Sequence, residues 1–381
     1  MALSKVDLAN QVENQLPQNL VANNLPFRNI IINGDMSIAQ RGTSSAGITA
    51  TGYYTVDRWN LLYTNLGTWT QSQDSDVPSG QGFATSLKMA CTTSATPYPA
   101  SNSRVIIRQL IEGQNLQYLK KGTANAESLS LSFWIKSNKT GTYTSEIFDA
   151  DNTRQISKTF TINVADTWEK KTLTFAGDTT GTLNNDNTDG LTLFLWFGAG
   201  TTFTSGTFNT SWNTAVTENR VSPSQVNLAD STSNYINITG VQLEAGTTAS
   251  DFEFLPVDVN LARCQRYFEK TFNQGVTPAA SVTAADRRTG ICFTGSQVGI
   301  YSEYSVTKRA NPTITIYRGN NAGSSSSGTI NLYNLSAWVE SSAIGAFTAL
   351  QNSFSADPGG FSITTGNVYL VDYNYTADAE L

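Results

Sequence analysis

Strict alternation marks the clearest element in the chain. Leu129, Leu131, Phe133 and Ile135 fall on one side, and Ser130, Ser132, Trp134 and Lys136 on the other, the period-two pattern of a half-buried strand. Shorter stretches of the same character recur. Residues 60–71 and 83–90 predict strands around a Ser/Asp/Gly loop at 72–82, and residues 104–112 predict another. A strand from Trp168 to Phe175 follows the acidic turn Asp149-Ala150-Asp151-Asn152, and Tyr235–Glu244 closes the series. Leu191–Phe197 is apolar on both faces, which predicts a central strand. The β-branched run that begins at Asn29 reads as the first strand, ending at the turn Asn33-Gly34-Asp35. The Gly/Thr/Ser-rich loop at 198–234 is too long for a simple connection, and loops of this length bind or pack on themselves.

Pro256 marks a change of period. From Val259 to Lys270, Leu261, Cys264 and Phe268 form a stripe at helical spacing, which predicts a connector helix within 257–270. Beyond it the β pattern returns at Gly290–Phe293, Val298–Val306, Thr313–Tyr317, Thr329–Tyr333, Phe361–Thr364 and Val368–Tyr375. The serine-rich stretch 319–328 reads as a hairpin loop. Residues 1–28 form a polar arm in which Leu8, Val12 and Leu16 recur every four residues before Pro17, the spacing of one short helix. The expectation is an all-β chain, with a large β-sandwich over 29–256, the connector helix, and a smaller C-terminal β-sandwich over 271–381. No internal repeat suggests a solenoid.

Composition narrows the chemistry. Only 14% of the 381 residues are charged and the net charge is −6, so there is no basic field to neutralise phosphates and nucleic acid is set aside. Histidine is absent. That removes the usual general base, the common nucleophile–histidine arrangements and every His-ligated metal site. Cys91, Cys264 and Cys292 are too few and too far apart for a disulfide framework or a metal clip, so they read as reduced, buried residues. No segment has the length and apolarity to span a membrane, and no signal peptide is evident. A reducing cytosol is the expected place of synthesis.

Several segments resemble bacteriophage tail-fibre and related virion surface proteins. They are Asn33-Gly34-Asp35, Gln40-Arg41-Gly42 and Asp57-Arg58-Trp59 near the start, Phe133-Trp134-Ile135-Lys136 and the stretches 226–234 and 238–244 in the middle, and Ala262–Tyr267 and Tyr375–Leu381 towards the end. The order of features also resembles the jelly roll of carbohydrate-binding modules. The resemblance implies a non-catalytic virion protein, assembled in the host bacterial cytoplasm and commonly trimeric, that binds host-surface glycan. It also implies anchorage to other virion proteins through the arm and its Leu8, Val12 and Leu16. A head fibre, capsid decoration or tail-accessory protein is the alternative, and a glycan depolymerase the third reading.

The candidate glycan-binding residues are Trp134, Trp196, Asn209, Trp212 and Asn213, since sugar rings stack on aromatic faces while amides bond their hydroxyls. Core packing of the tryptophans is the competing reading. Jelly rolls of this type often hold calcium, which points to Asp35 and Glu244, but Met36-Ser37 stands where the family has Phe-Glu and removes a hard ligand. No metal or other cofactor is therefore expected. Glycan cleavage needs two carboxylates across a sugar-sized gap. Asp149, Asp151, Asp178, Asp186 and Asp189 all fall in predicted turns, where aspartate caps the backbone. Arg58 beside Trp59 reads as a stacked or ion-paired support for the sheet.

Overall fold

A computed structural model describes residues 27–279, 286–319 and 328–381. The expected anchor residues Leu8, Val12 and Leu16, and residues 320–327 of the serine-rich loop, lie outside the described residues.

Residues 44–245 build two facing antiparallel sheets. The first has six strands in the order Ser44–Ile48, Thr68–Asp74, Ser86–Thr93, Tyr235–Ala245, Leu129–Ser137 and Glu169–Phe175. The second has seven, ordered Asn213–Thr214, Arg154–Ile162, Gly141–Asp149, Asp189–Ala199, Arg104–Glu112, Asn60–Thr64 and Gly52–Tyr53. The chain passes repeatedly from one sheet to the other, the crossing pattern of a jelly roll. Leu131, Phe133 and Ile135 from the alternating strand meet Leu193, Leu195 and Phe197 in the shared core, together with Trp59 and Trp69. Asp189–Ala199 pairs with strands on both edges, as its two-sided apolarity requires.

The opening run is not a strand. Asn33 and Met36 adopt φ of 58° and 61°, a left-handed geometry that breaks any extended run. The segment instead bridges the sheets: Ile30 N donates to Leu243 O at 2.8 Å and Ile32 N to Gln109 Oε1 at 2.8 Å. The hairpin Gly141–Asp149 with Arg154–Ile162 escaped the sequence reading, although the acidic turn at its tip did not. Thr, Ser, Glu and Lys interrupt its apolar positions, and Phe148 turns outward while Tyr143 and Ile147 turn inward, so the signal was weak.

The C-terminal part is a smaller β-sandwich arranged around one long strand, Val368–Asp378. That strand pairs with Phe268–Lys270, Asp286–Thr294, Thr313–Arg318 and Asn331–Tyr333. Val371, Tyr373, Tyr375, Ile300, Ile316 and Phe354 fill its core. The connector helix covers Val257–Gln265 and stops short of its predicted end, because Phe268–Lys270 is drawn into this sheet. Phe361–Thr364 is not a strand. All three cysteines are buried and free.

Four of the segments that carried the family resemblance meet where the two sandwiches join. Asp57 accepts from Gln40 N at 2.8 Å, and Gln40 Nε2 also donates to Phe268 O at 2.7 Å. The buried Arg58 pairs with Glu380, donates to Leu110 O at 2.6 Å and stacks on the Tyr267 ring at 3.5 Å. Arg41 binds Asp378 and Glu380 at 3.1 and 3.3 Å while lying over Phe268. Glu112 takes two bonds from Arg266, at 2.8 and 2.7 Å, and one from Tyr267. The motif residues therefore hold the two sandwiches together, which is the supporting role expected of Arg58.

Candidate functional site

The predicted glycan-binding residues do not form one site. Trp196 is fully buried beneath a cover made by residues 200–222. The long loop folds back across the outer face of the seven-stranded sheet, where Phe203 and Val221 close over Trp196, Phe194 and Ile106. Trp196 Nε1 donates to Glu146 Oε2 at 2.9 Å, and Arg220 grips the same carboxylate at 2.8 and 3.1 Å. Arg220 also lies 5.3 Å over the Trp196 ring. The loop is thus one that packs on itself, and Trp196 cannot reach a sugar without unfolding it.

The loop amides serve the same cover. Asn209 is buried, donating from its backbone to Asn219 O at 3.1 Å and accepting from Ser157 N at 2.8 Å. Trp212 packs against the core and donates to Ala176 O at 2.7 Å, with the Lys121 ammonium 5.3 Å over its ring. It pins the loop. Asn213 is exposed at the sheet edge and turns back to Ser211 O at 3.1 Å.

Trp134 alone of the five stands on an open sheet surface. Alternation points it away from the core, and the register places it opposite Lys170 on one neighbouring strand and Thr239 on the other. Two neighbours that the sequence reading did not assign to a site share this face. Trp168, just before the edge strand, is half-buried, and its Nε1 donates to Asp76 Oδ1 at 2.9 Å. Lys136 Nζ binds the other oxygen of Asp76 at 2.7 Å. One row over, Tyr235 donates its hydroxyl to Asp166 at 2.6 Å, and Lys88 lies 5.3 Å over its ring while pairing with Asp74 at 3.1 Å.

Electrostatics fix this surface. Desolvation raises the Asp76 carboxyl, but hydrogen bonds from Lys136 and Trp168 and the nearby lysines outweigh it and hold the group below its ordinary value. Burial, the bond to Asp166 and nearby carboxylates push the Tyr235 phenol well up, so it stays a neutral hydroxyl. The result is three partly exposed aromatic rings set among ordered donors and acceptors. The sequence signal for it was the polar side of the Leu129–Lys136 alternation, read across to the strands that pair with it.

The remaining candidates are occupied by protein groups. Asp35 Oδ1 accepts from Asn260 at 3.1 Å, and Glu244 accepts from Ser250 and Gln242 at 2.7–3.0 Å. The described residues contain no group of three or more acidic, Cys or His side chains placed to hold a metal ion. Asp149 pairs with Lys121, Asp178 accepts two bonds from Arg154 at 2.7 and 2.9 Å, Asp151 caps Asn184, and Asp186 caps Thr188. Asp189 opens the strand Asp189–Ala199 rather than a turn; its Oδ2 accepts from the Thr192 hydroxyl at 2.6 Å, while its Oδ1 is buried with no hydrogen-bond partner among the described residues. The other four acids organise turns.

No protein-family model and no curated protein matches the chain. Among solved structures, it is similar to the enzymatically active domain of tailspike protein 4 from bacteriophage CBA120, at 15% identity and a TM-score of 0.30, over 58% of this chain and 22% of the tailspike chain. It is similar to a family 11 carbohydrate-binding module from Clostridium thermocellum in complex with a mixed-linked tetrasaccharide, at 10% identity and a TM-score of 0.27, over 55% of this chain and 98% of the module. A cellulose-binding domain of Cellulomonas fimi β-1,4-glucanase C matches at 12% identity and a TM-score of 0.27, over 50% of this chain and 90% of that domain.

Proposed function

We propose that the chain is a phage virion surface protein of the tail-fibre type that attaches to host-surface glycan without cleaving it. The observation that carries this reading is the grouping of Trp134, Trp168 and Tyr235 with the Lys136–Asp76 and Lys88–Asp74 pairs on the open face of the six-stranded sheet. Aromatic rings supply stacking area for the C–H faces of sugars, and the fixed ion pairs orient the hydroxyls. Supporting residues that are already ordered lower the entropic cost of binding. Residues 1–28 anchor the chain to other virion proteins, with Leu8, Val12 and Leu16 as the contact stripe.

A homotrimer completes the reading. The C-terminal sheet exposes Ile291, Phe293, Val368, Leu370 and Tyr301, at 44–63% of their surface, and pairing sets Ile291 opposite Val368. Contiguous apolar surface of this kind marks an interaction site, and symmetric assembly would cover it while multiplying weak glycan contacts. The test is retention of the purified protein by host cells or their polysaccharide. Wild-type protein is retained, Trp134→Ala and Trp168→Ala are each retained about tenfold more weakly, and no reducing ends are released. Retention unaffected by both substitutions, or binding only to virions that lack fibres, would remove the receptor-binding reading.

A further inference from the structure

A second constellation suited to sugar lies at the junction of the two sandwiches, built from residues near the start of the large sandwich and from the C-terminal sheet. A groove of about 650 Å³ opens there between Arg41, Tyr53 and Tyr54 on one side and the face of the C-terminal sheet on the other. Its sheet wall follows from register. Thr313 pairs with Asp378, Thr315 with Thr376 and Tyr317 with Asn374, so Thr313, Thr315 and Tyr317 point to one face while Ile314 and Ile316 pack into the core. The Thr313 and Thr315 hydroxyls have no hydrogen bond among the described residues.

The chemistry of the walls selects the ligand. Tyr53, Tyr54 and Tyr317 line the groove; the Arg41 guanidinium lies 5.2 Å over the Tyr53 ring, and Tyr317 is held edge-on by Phe272 at 5.3 Å. Arg41 is locked over Phe268 at 3.7 Å with its charge met by Asp378 and Glu380. Asp378 keeps 43% of its side chain exposed, so a carboxylate edge remains for hydroxyl donors. Arg41 and the buried Arg58 share Asp378 and Glu380, two guanidiniums against two carboxylates, so the junction carries no surplus positive charge, which disfavours acidic sugars and phosphates. The groove is open to solvent rather than enclosed, so a section of an extended chain can lie along it.

We propose that this groove is a second binding site, for a neutral oligosaccharide, independent of the Trp134 face. Tyrosine rings flank the sugar, Thr313 and Thr315 bond its hydroxyls, and Asp378 accepts from them. Because both sandwiches contribute, the groove needs the junction intact.

The experiment uses the full chain carrying Trp134→Ala with Trp168→Ala, which removes the first site. Calorimetry with maltohexaose, cellohexaose, laminarihexaose and xylohexaose, with polygalacturonate as the acidic control, is paired with hydrogen exchange. The expected result is that at least one neutral probe still binds and slows exchange in Thr313–Arg318. Adding Thr313→Val and Thr315→Val, which preserve shape, weakens that binding about tenfold with the melting temperature unchanged, and polygalacturonate does not bind. Loss of all neutral probes in the double tryptophan variant, when wild type binds them, overturns the second site and leaves the first standing. Binding that survives the threonine substitutions, or no binding of any neutral probe to wild type, also overturns it, whereas retention by host cells decides the first site separately.

Discussion

The outer faces of the two sheets in the large sandwich end in opposite states, open over the alternating strand Leu129–Ser137 and covered over Asp189–Ala199, which is apolar on both faces. Each carries a tryptophan at an outward position next to a charged pair: Trp134 with Lys136 and Asp76 on one, Trp196 with Glu146 and Arg220 on the other. The first stays open. The second is roofed by residues 200–222, and its tryptophan has become the centre of a small second core. Strand periodicity says which way a side chain points; whether a later segment returns to cover it is decided by tertiary packing.

The largest test of this contrast is truncation of each tryptophan. Trp196→Ala should cost about 3–5 kcal/mol, the range for emptying a buried aromatic site, and should loosen the 200–222 cover to exchange. Trp134→Ala should cost about 1 kcal/mol or less yet weaken glycan binding about tenfold, worth about 1.4 kcal/mol. Denaturant melts and a binding titration on both variants decide it. Equal destabilisation by the two would abolish the distinction between a platform and a core.

The ion pair beneath the cover sharpens the comparison. Glu146 is fully buried and serves both Arg220 and Trp196, so removing one partner strands a charge. Arg220→Ala alone should cost about 3 kcal/mol, and the double replacement Glu146→Leu with Arg220→Met should cost less than either single change. Thermal unfolding of the three variants reads this directly. On the open face, where Lys88 and Asp74 remain 34% and 22% exposed, breaking that pair should cost under about 1 kcal/mol.

A third outer face, on the C-terminal sheet, is open but apolar. If trimerisation covers it, Ile291→Arg and Leu370→Arg should shift the assembled protein to monomer in light scattering, with each monomer still folded and still binding glycan through Trp134. A change of binding without a change of mass would assign the face to something other than self-association.

Much of the architecture was legible because burial is written into alternation. Leu129–Ser137, Arg104–Glu112 and Asp189–Ala199 appear close to where the pattern put them. Elements whose form depends on distant partners were not legible. The run from Asn29 to Ile32 has strand composition but is bent by Asn33 and Met36 and held by Leu243 and Gln109. Phe268–Lys270 completes a helical stripe by spacing, yet is claimed by the strand Val368–Asp378, a hundred residues on. At the site, alternation turned Trp134 away from the core, and the register agrees, whereas nothing in the strand Asp189–Ala199 announced the cover over Trp196. Trp168 and Tyr235 became visible only once pairing set their strands beside Leu129–Ser137.

The smallest expected effect concerns Asp76, which ties Trp168 and Lys136 into one surface. Because its folded-state carboxyl lies below the ordinary aspartate value, its contribution is present above about pH 4 and is lost as pH falls through the lowered value. Half-exposed, it contributes little to global stability, and Asp76→Asn should change unfolding by less than about 1 kcal/mol. Its influence should instead appear in binding, since protonation frees both the indole N–H and the lysine that it orders. Wild-type affinity for glycan should therefore decline as pH drops below about 4. Asp76→Asn should bind more weakly at neutral pH and show a flatter pH profile over that range. The covered face provides the control, because exchange protection over residues 200–222 should be the same in this variant as in wild type at pH 7. If protection there changed as well, the two outer faces would be coupled through the sandwich and could not be treated as separate surfaces.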